Sequence, residues 1–171
     1  MTDEVILVDE LDREVGAAEK LAAHQSGQLH RALSVFVFNS AGDMLLQQRA
    51  RDKYHSGGLL SNTCCSHPRP GEASEDAAHR RLMEEMGFDC PMRPLFTFTY
   101  RTDFGNGLIE HELDHVFVGI HDADPVPNPE EVEAWRWQSV EETARDMARR
   151  PEAYTFWFKH IFQRVIDALT P

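Results

Sequence analysis

The sequence predicts an α+β fold, a mixed α/β sandwich in which a mixed sheet is flanked by helices. Three observations predict it. Segments 32–39 (ALSVFVFN), 95–100 (LFTFTY) and 108–120 (LIEHELDHVFVGI) are strand-sized and either rich in Val and Phe or alternating in polarity, the marks of buried and half-buried strands. Segments 74–86 and 155–169 carry helical spacing instead. Along the chain the order is strands, helix, strands, helices. At 171 residues the chain is long enough for a single domain, 1–171, with a sizeable core.

Taken in order, residues 5–8 are a short apolar run read as a strand. Residues 19–24 fit one helical turn, with a loop at 25–28. The strand at 32–39 leads through the turn Ser40-Ala41-Gly42-Asp43 into 44–50, its expected hairpin partner. RDKYHSGG (51–58) is a polar loop ending in two glycines. LLSNTCCSH (59–67) is a strand, followed by the turn PRPGE. Ser74 is the expected N-cap of a helix running to Met86, with Glu75 and Asp76 in its first turn and Gly87 as its stop. Ala78, Leu82 and Met86 share one stripe, with Met83 beside it. The Pro-rich acidic stretch 122–131 is a loop and 132–138 a strand. Ser139 then caps a helix that carries Glu142 three residues on and ends at Pro151. Residues 155–169 form an amphipathic helix that packs on the sheet, covers a pocket or supports a dimer.

The net charge of −12 argues against non-specific binding of nucleic acid, which needs a positive footprint. It leaves room for a small anionic substrate held by a local cluster of Lys and Arg. No apolar run is long enough to span a bilayer, and the N-terminus shows no signal-peptide pattern. The cysteines are Cys64, Cys65 and Cys90, an odd number that makes no disulfide framework. These features give the expectation of a cytoplasmic protein with a small-molecule partner, no nucleic acid and no membrane, working as a monomer or weak dimer.

Residues two apart in a strand share a face. Two such pairs carry ionisable groups: Cys65 with His67, and Glu110 with Glu112. Cys64 would then point the other way. Buried packing, a metal half-site, a nucleophile and a redox pair all remain open for the first pair. A solvated edge remains open for the second. On the helix, Arg81 and Glu85 stand four apart, as do Arg80 and Glu84. Exposed pairs of this kind are worth a few tenths of a kcal/mol, roughly.

The stretch GE (71–72) followed by RRLMEEMGF (80–88), after a strand and a turn, resembles the Nudix box of diphosphate hydrolases, and this implies a Nudix-like fold. Glu72, Glu84, Glu85 and Gly87 match. Ser66 stands where the box opens with Gly, and Arg81 follows Arg80 where the box carries Glu. These departures argue against ordinary hydrolysis. From about residue 5 to about residue 157 the chain resembles type 1 isopentenyl-diphosphate isomerases. The matching stretches include EKLAAH (19–24), LHRALSVFVF (29–38), NTCCSHP (62–68), GEASEDAAHRRL (71–82) and GLIEHE (107–112). That resemblance implies the reversible shift of a double bond between isopentenyl and dimethylallyl diphosphate in isoprene biosynthesis.

It implies Cys65 and Glu112 as the catalytic pair, with Tyr100 orienting Glu112. It implies a metal site of His24, His30, His67, Glu110 and Glu112, holding Mn²⁺, Mg²⁺ or Zn²⁺, and a second Mg²⁺ held by Glu85 and the substrate diphosphate. Lys20, Arg49, Lys53 and Arg81 match diphosphate contacts, and Trp157 matches an aromatic residue at the hydrocarbon end. The His24–His30 spacing is one residue shorter than the family pattern, so the loop between them differs. Two other readings stay open: a Nudix hydrolase of some diphosphate, and a non-enzymatic metal module built on Cys64, Cys65 and His67.

Overall fold

The computed structural model describes residues 3–171; Met1 and Thr2, the start of the expected domain, lie outside the described residues. Its axis is β3 (His30–Phe38), the Val- and Phe-rich run. β3 pairs in parallel with β8 (Ile109–Ile120) over nine positions, from His30↔Glu112 to Phe38↔Ile120. β6 (Cys64–Ser66) pairs antiparallel with its other edge at Leu33↔Ser66, Ser34↔Cys65 and Val35↔Cys64. β8 also pairs with β7 (Met92–Asp103), and β1 (Glu4–Val8) meets β3 at Leu7↔His30. β4 (Met44–Arg49) is held mainly by β9 (Val132–Gln138) and by the short β5 (Leu60–Ser61).

Alternation along β3 divides the core in two. Leu33, Val35 and Val37 pack with Cys64 and with Ala77, Ala78, Leu82 and Met86 of helix α1 (Ser74–Met86). Phe36 faces the other side and packs with Tyr100, Val116 and the buried stripe Trp157, Phe158, Ile161, Phe162 and Val165 of helix α2 (Phe156–Leu169). Each large apolar side chain so buried contributes about 1.5–3 kcal/mol over leaving it in water. Because Cys64 and Cys65 are neighbours on one strand, the first goes to the α1 layer and the second to the α2 layer. The remaining helices are the short Lys20–Ser26, which carries His24, and Val140–Arg149, capped by Ser139 as expected.

Several local expectations are corrected. A strand at Glu14–Glu19 was not anticipated; its half-exposed EVGAAE lacks an apolar run and is held by pairing with β1. The 32–50 hairpin closes at a single pair, Phe38↔Met44, after which β4 leaves for β9. The strand expected over 59–67 breaks at Asn62 and Thr63. Their side chains bond the backbone instead: Asn62 donates to Val35 O and Cys64 O, and Thr63 donates to Leu45 O. The N-cap of α1 is Ala73, not Ser74, since the Ala73 carbonyl already accepts from Ala77 N. Met83 is half-exposed, one residue and about 100° off the buried stripe. Gly87 ends the helix at φ +74, where any Cβ would collide with the Val126 carbonyl.

Candidate active site

The α2 side of β3, β6 and β8 opens on a cavity of about 50 Å³. The strand period aims Cys65, Glu110, Glu112 and Asp114 into it. His24 and His30 are fully buried behind its wall. His24 Nδ1 lies 2.7 Å from Lys20 O and His30 Nδ1 2.9 Å from Gln28 O. A carbonyl only accepts, so in each ring Nδ1 carries the hydrogen and Nε2 keeps its lone pair in the neutral form. His30 Nε2 stands 3.1 Å and His67 Nε2 2.6 Å from Glu112 Oε2. Lone pairs converging on a carboxylate at such distances need a proton or a metal ion between them. Burial pushes His67 down to about 4 and lowers His24 as well, which keeps the imidazoles in the neutral, ligating form. His24, His30, His67 and Glu112 present ligand atoms all within 4.8 Å of one another. A second trio, His24, His55 and Glu110, meets the same limit. Nitrogen and carboxylate donors in this number suit a divalent ion. Glu110 Oε2 and His55 Nε2 are buried without any partner, as expected of an ion's ligands.

Cys65 faces these groups from β6. Its thiol donates to Asn62 Oδ1 at 3.0 Å and accepts from Trp157 Nε1–H at 2.9 Å. Burial, with the Asp114 carboxylate nearby, pushes the thiol up to about 12, so it keeps its proton at neutral pH. Tyr100 donates to Glu112 Oε1 at 2.5 Å. Burial alone would raise Glu112, but the charges and hydrogen bonds of His67 and His30 outweigh it and hold the carboxyl well below its usual range. Burial, joined by the Glu112 charge, raises Glu110. The same two causes raise Asp114, which accepts from Ser34 Oγ at 2.8 Å.

At the mouth stand Lys20, Lys53 and Arg81, with the buried Glu85 and Arg49 deeper in. Arg81 donates to Glu85 Oε1 at 2.7 Å and to Glu84 Oε2 at 2.6 Å, and Lys53 pairs with Glu131. Gln47 holds the other Glu85 oxygen at 3.0 Å. A contiguous basin adds Arg69 and Arg80 to these cations. The Arg49 guanidinium lies 5.1 Å from the centroid of the Trp157 ring.

The structure thus brings the residues that the resemblance implies as catalytic, metal-binding and diphosphate-binding to this one cavity or its wall, while Cys64 packs on the opposite face and Arg80 lines the adjoining basin. Sequence reasoning missed Asp114, His55, Tyr54, Asn62, Arg69 and Glu131. Asp114 could have been found, since it continues the alternation Glu110, Glu112 in IEHELDH. His55 sits in a polar loop with no period to flag it.

Comparison with known proteins agrees with this geometry. The NUDIX domain family matches residues 28–158. The chain is 60% identical over 98% of its length to a protein of Aromatoleum aromaticum named isopentenyl-diphosphate Delta-isomerase 2, covering 88% of that protein. It is 56% identical over 96% of its length to an isopentenyl-diphosphate Delta-isomerase of Pectobacterium atrosepticum, covering 92% of it. Among solved structures it resembles DR0079 of Deinococcus radiodurans with a TM-score of 0.80, at 23% identity over 95% of this chain and 98% of that one. That likeness is one of fold.

Proposed function

The chain belongs to the NUDIX domain family and, within it, to the isopentenyl-diphosphate Delta-isomerases, and on that premise we propose that this cavity is where it interconverts isopentenyl and dimethylallyl diphosphate. The observation that carries the assignment to this site is the facing of a thiol, Cys65, and a carboxyl, Glu112, across one small cavity with cations at its mouth; burial favours the protonated thiol, and the His67 and His30 contacts favour the carboxylate.

The double bond is unactivated. Its terminal CH₂ takes a proton, charge develops on the tertiary carbon, and loss of a proton from the adjacent CH₂ forms the new double bond. The step needs one proton donor and one acceptor around a flat apolar skeleton, and it needs water kept out, or the cation becomes an alcohol. In the protonation pattern above, Cys65 S–H gives and Glu112 takes. The reverse reaction starts from the exchanged pattern, thiolate and carboxylic acid, and the same two groups swap roles. Tyr100 fixes Glu112 through its 2.5 Å bond, and Trp157 both holds the thiol sulfur and offers its ring to the developing charge. Lys20, Arg49, Lys53 and Arg81 bind the diphosphate, remote from the reacting carbons, so its binding energy sets the register of the small hydrocarbon.

His24, His30, His67, Glu110 and Glu112 would hold a divalent ion, Mn²⁺, Mg²⁺ or Zn²⁺, and Glu85 would share Mg²⁺ with the diphosphate. When bound, such an ion supplies positive charge that fixes Glu112 and favours its carboxylate form. Among the described residues no helix is long and apolar enough to cross a membrane. We take residues 1–171 as one cytoplasmic domain acting as a monomer or weak dimer, on a small diphosphate and not on nucleic acid.

The test is incubation with isopentenyl diphosphate and Mg²⁺ in D₂O. Dimethylallyl diphosphate should form, and deuterium should enter both substrate and product. Release of phosphate or pyrophosphate without dimethylallyl product would mean a hydrolase.

A further inference from the structure

Two buried polar atoms lack a partner beside the metal site, one on an expected ligand, Glu110, and one on a residue outside the expected set, His55. His55 Nε2 and Glu110 Oε2 have no hydrogen-bond partner, and a buried orphan of this kind is costly unless a ligand satisfies it. His55 Nε2 lies 3.6 Å from Glu110 Oε1, too far for a hydrogen bond. Yet the ring is not loose. Phe104 stacks on it at 4.6 Å, Trp157 meets its edge at 5.7 Å, and its own carbonyl accepts from Arg49 Nη2 at 3.2 Å. An imidazole clamped on its faces and left bare at one nitrogen is a ligand in form.

The trio His24, His55 and Glu110 shares His24 with the quartet His24, His30, His67 and Glu112. Neutral His24 has a single ring lone pair, on Nε2, because its Nδ1–H is given to Lys20 O; the Tyr54 hydroxyl stands 3.3 Å from that nitrogen and must yield it to an ion. One lone pair binds one ion, so the trio is no second independent site. Opposite nitrogens of one metal shell, each about 2.1 Å from the ion, stand about 4.2 Å apart. Within each group the ligand atoms lie no more than 4.8 Å apart, so small side-chain adjustments on binding bring them to that span. The geometry points to a single shell of which trio and quartet are the two halves. We propose that His55 is a further nitrogen ligand of this ion, so that the chain offers four imidazoles and selects a transition-metal ion such as Zn²⁺ or Co²⁺ over Mg²⁺ there. Imidazole suits those ions, whereas Mg²⁺ prefers oxygen and keeps its waters. The proposal rests on the reading of His24, His30, His67, Glu110 and Glu112 as the metal set.

The experiment loads wild-type protein, His55→Ala and His55→Gln with Mn²⁺ and counts coordinated nitrogens by pulsed EPR. Zn²⁺ affinity and Zn²⁺/Mg²⁺ competition are measured by calorimetry on the same samples. The expected result is one nitrogen fewer in both variants, with Zn²⁺ affinity down by at least about tenfold and Mg²⁺ affinity much less changed. The glutamine variant keeps the bulk between Phe104 and Trp157 and serves if the alanine variant does not fold. An unchanged nitrogen count and affinity overturns the role of His55 and leaves the other ligands standing. A wild-type ion with no coordinated nitrogen overturns the metal set itself, and this proposal with it.

Discussion

The inner end of the cavity and its mouth solve opposite problems with charge. Inside, Glu110, Glu112 and Asp114 sit on one strand face, buried among four histidines, and three polar atoms there (Glu110 Oε2, His55 Nε2 and Asp114 Oδ1) lack any partner. At the mouth most cations are already spoken for: Lys20 by Asp3, Lys53 by Glu131, Arg81 by Glu84, Glu85 and Glu131, and Arg80 by Glu72. The inner end is a buried set of donors that could hold a cation. The mouth is a neutralised surface whose cations must exchange a carboxylate for phosphate. An acidic side chain is therefore indispensable in one place and a competitor in the other, although the two ends lie in one small cavity.

The sharpest test of that contrast is Glu112→Gln, which removes the proposed base and the proposed ligand together. Turnover should fall on the order of 10³–10⁴-fold, and metal measured after gel filtration should be lost. Cys65→Ala should lower turnover about 10²–10⁴-fold while fold and bound metal stay. Its neighbour provides the control: Cys64→Ala should leave turnover within about twofold and lower stability by about 1–2 kcal/mol in urea unfolding. If the two cysteine variants behave alike, the division of faces is wrong. At the mouth, Arg81→Ala removes a charge-assisted contact, so KM for isopentenyl diphosphate should rise about tenfold or more with a smaller change in kcat.

Acidification separates the two ends again. Burial depresses His67 to about 4 and His55 to about 3 in the fold, while the unfolded chain binds those protons near pH 6.5, roughly. The unfolded state thus holds more protons between these values, and stability rises with pH through that window. Lowering the pH from about 6.5 to about 4 should therefore release the metal and lower the melting temperature together. The smallest effect has the opposite sign to all the others. Glu131→Gln frees Lys53 and should lower KM by about two- to threefold, most clearly at low salt.

Much of this site was legible because strand alternation is a short-range code. Cys65 with His67 and Glu110 with Glu112 were paired by spacing alone, and both pairs do share the cavity. Asp114 lay one more step along the same alternation. His55 was not legible: nothing local marks it, and its place depends on Phe104 and Trp157, far away in sequence. The hairpin partner of β3 failed for the same reason, since β4 finds its main ladder in β9, about ninety residues on. Caps and stripes within one helix fell between these cases. The Gly87 stop and the Ala78, Leu82 and Met86 stripe were read correctly, whereas the cap moved one residue because Ala73 supplies the first acceptor carbonyl.

The hydrogen bond from Trp157 to the Cys65 sulfur spans 92 residues of chain. A ribosome delivers Cys65, the histidines and the row of carboxylates well before it delivers the tryptophan. Until then the thiol side of the sheet lacks its apolar cover, and the segment around residue 155 has not yet clipped onto Leu60 and Ser61. The nascent protein thus presents its row of polar groups before the helix that covers them exists. A chain stopped short of that helix would keep the residues of the candidate metal group but lose both the partner of the Cys65 sulfur and the apolar layer behind it.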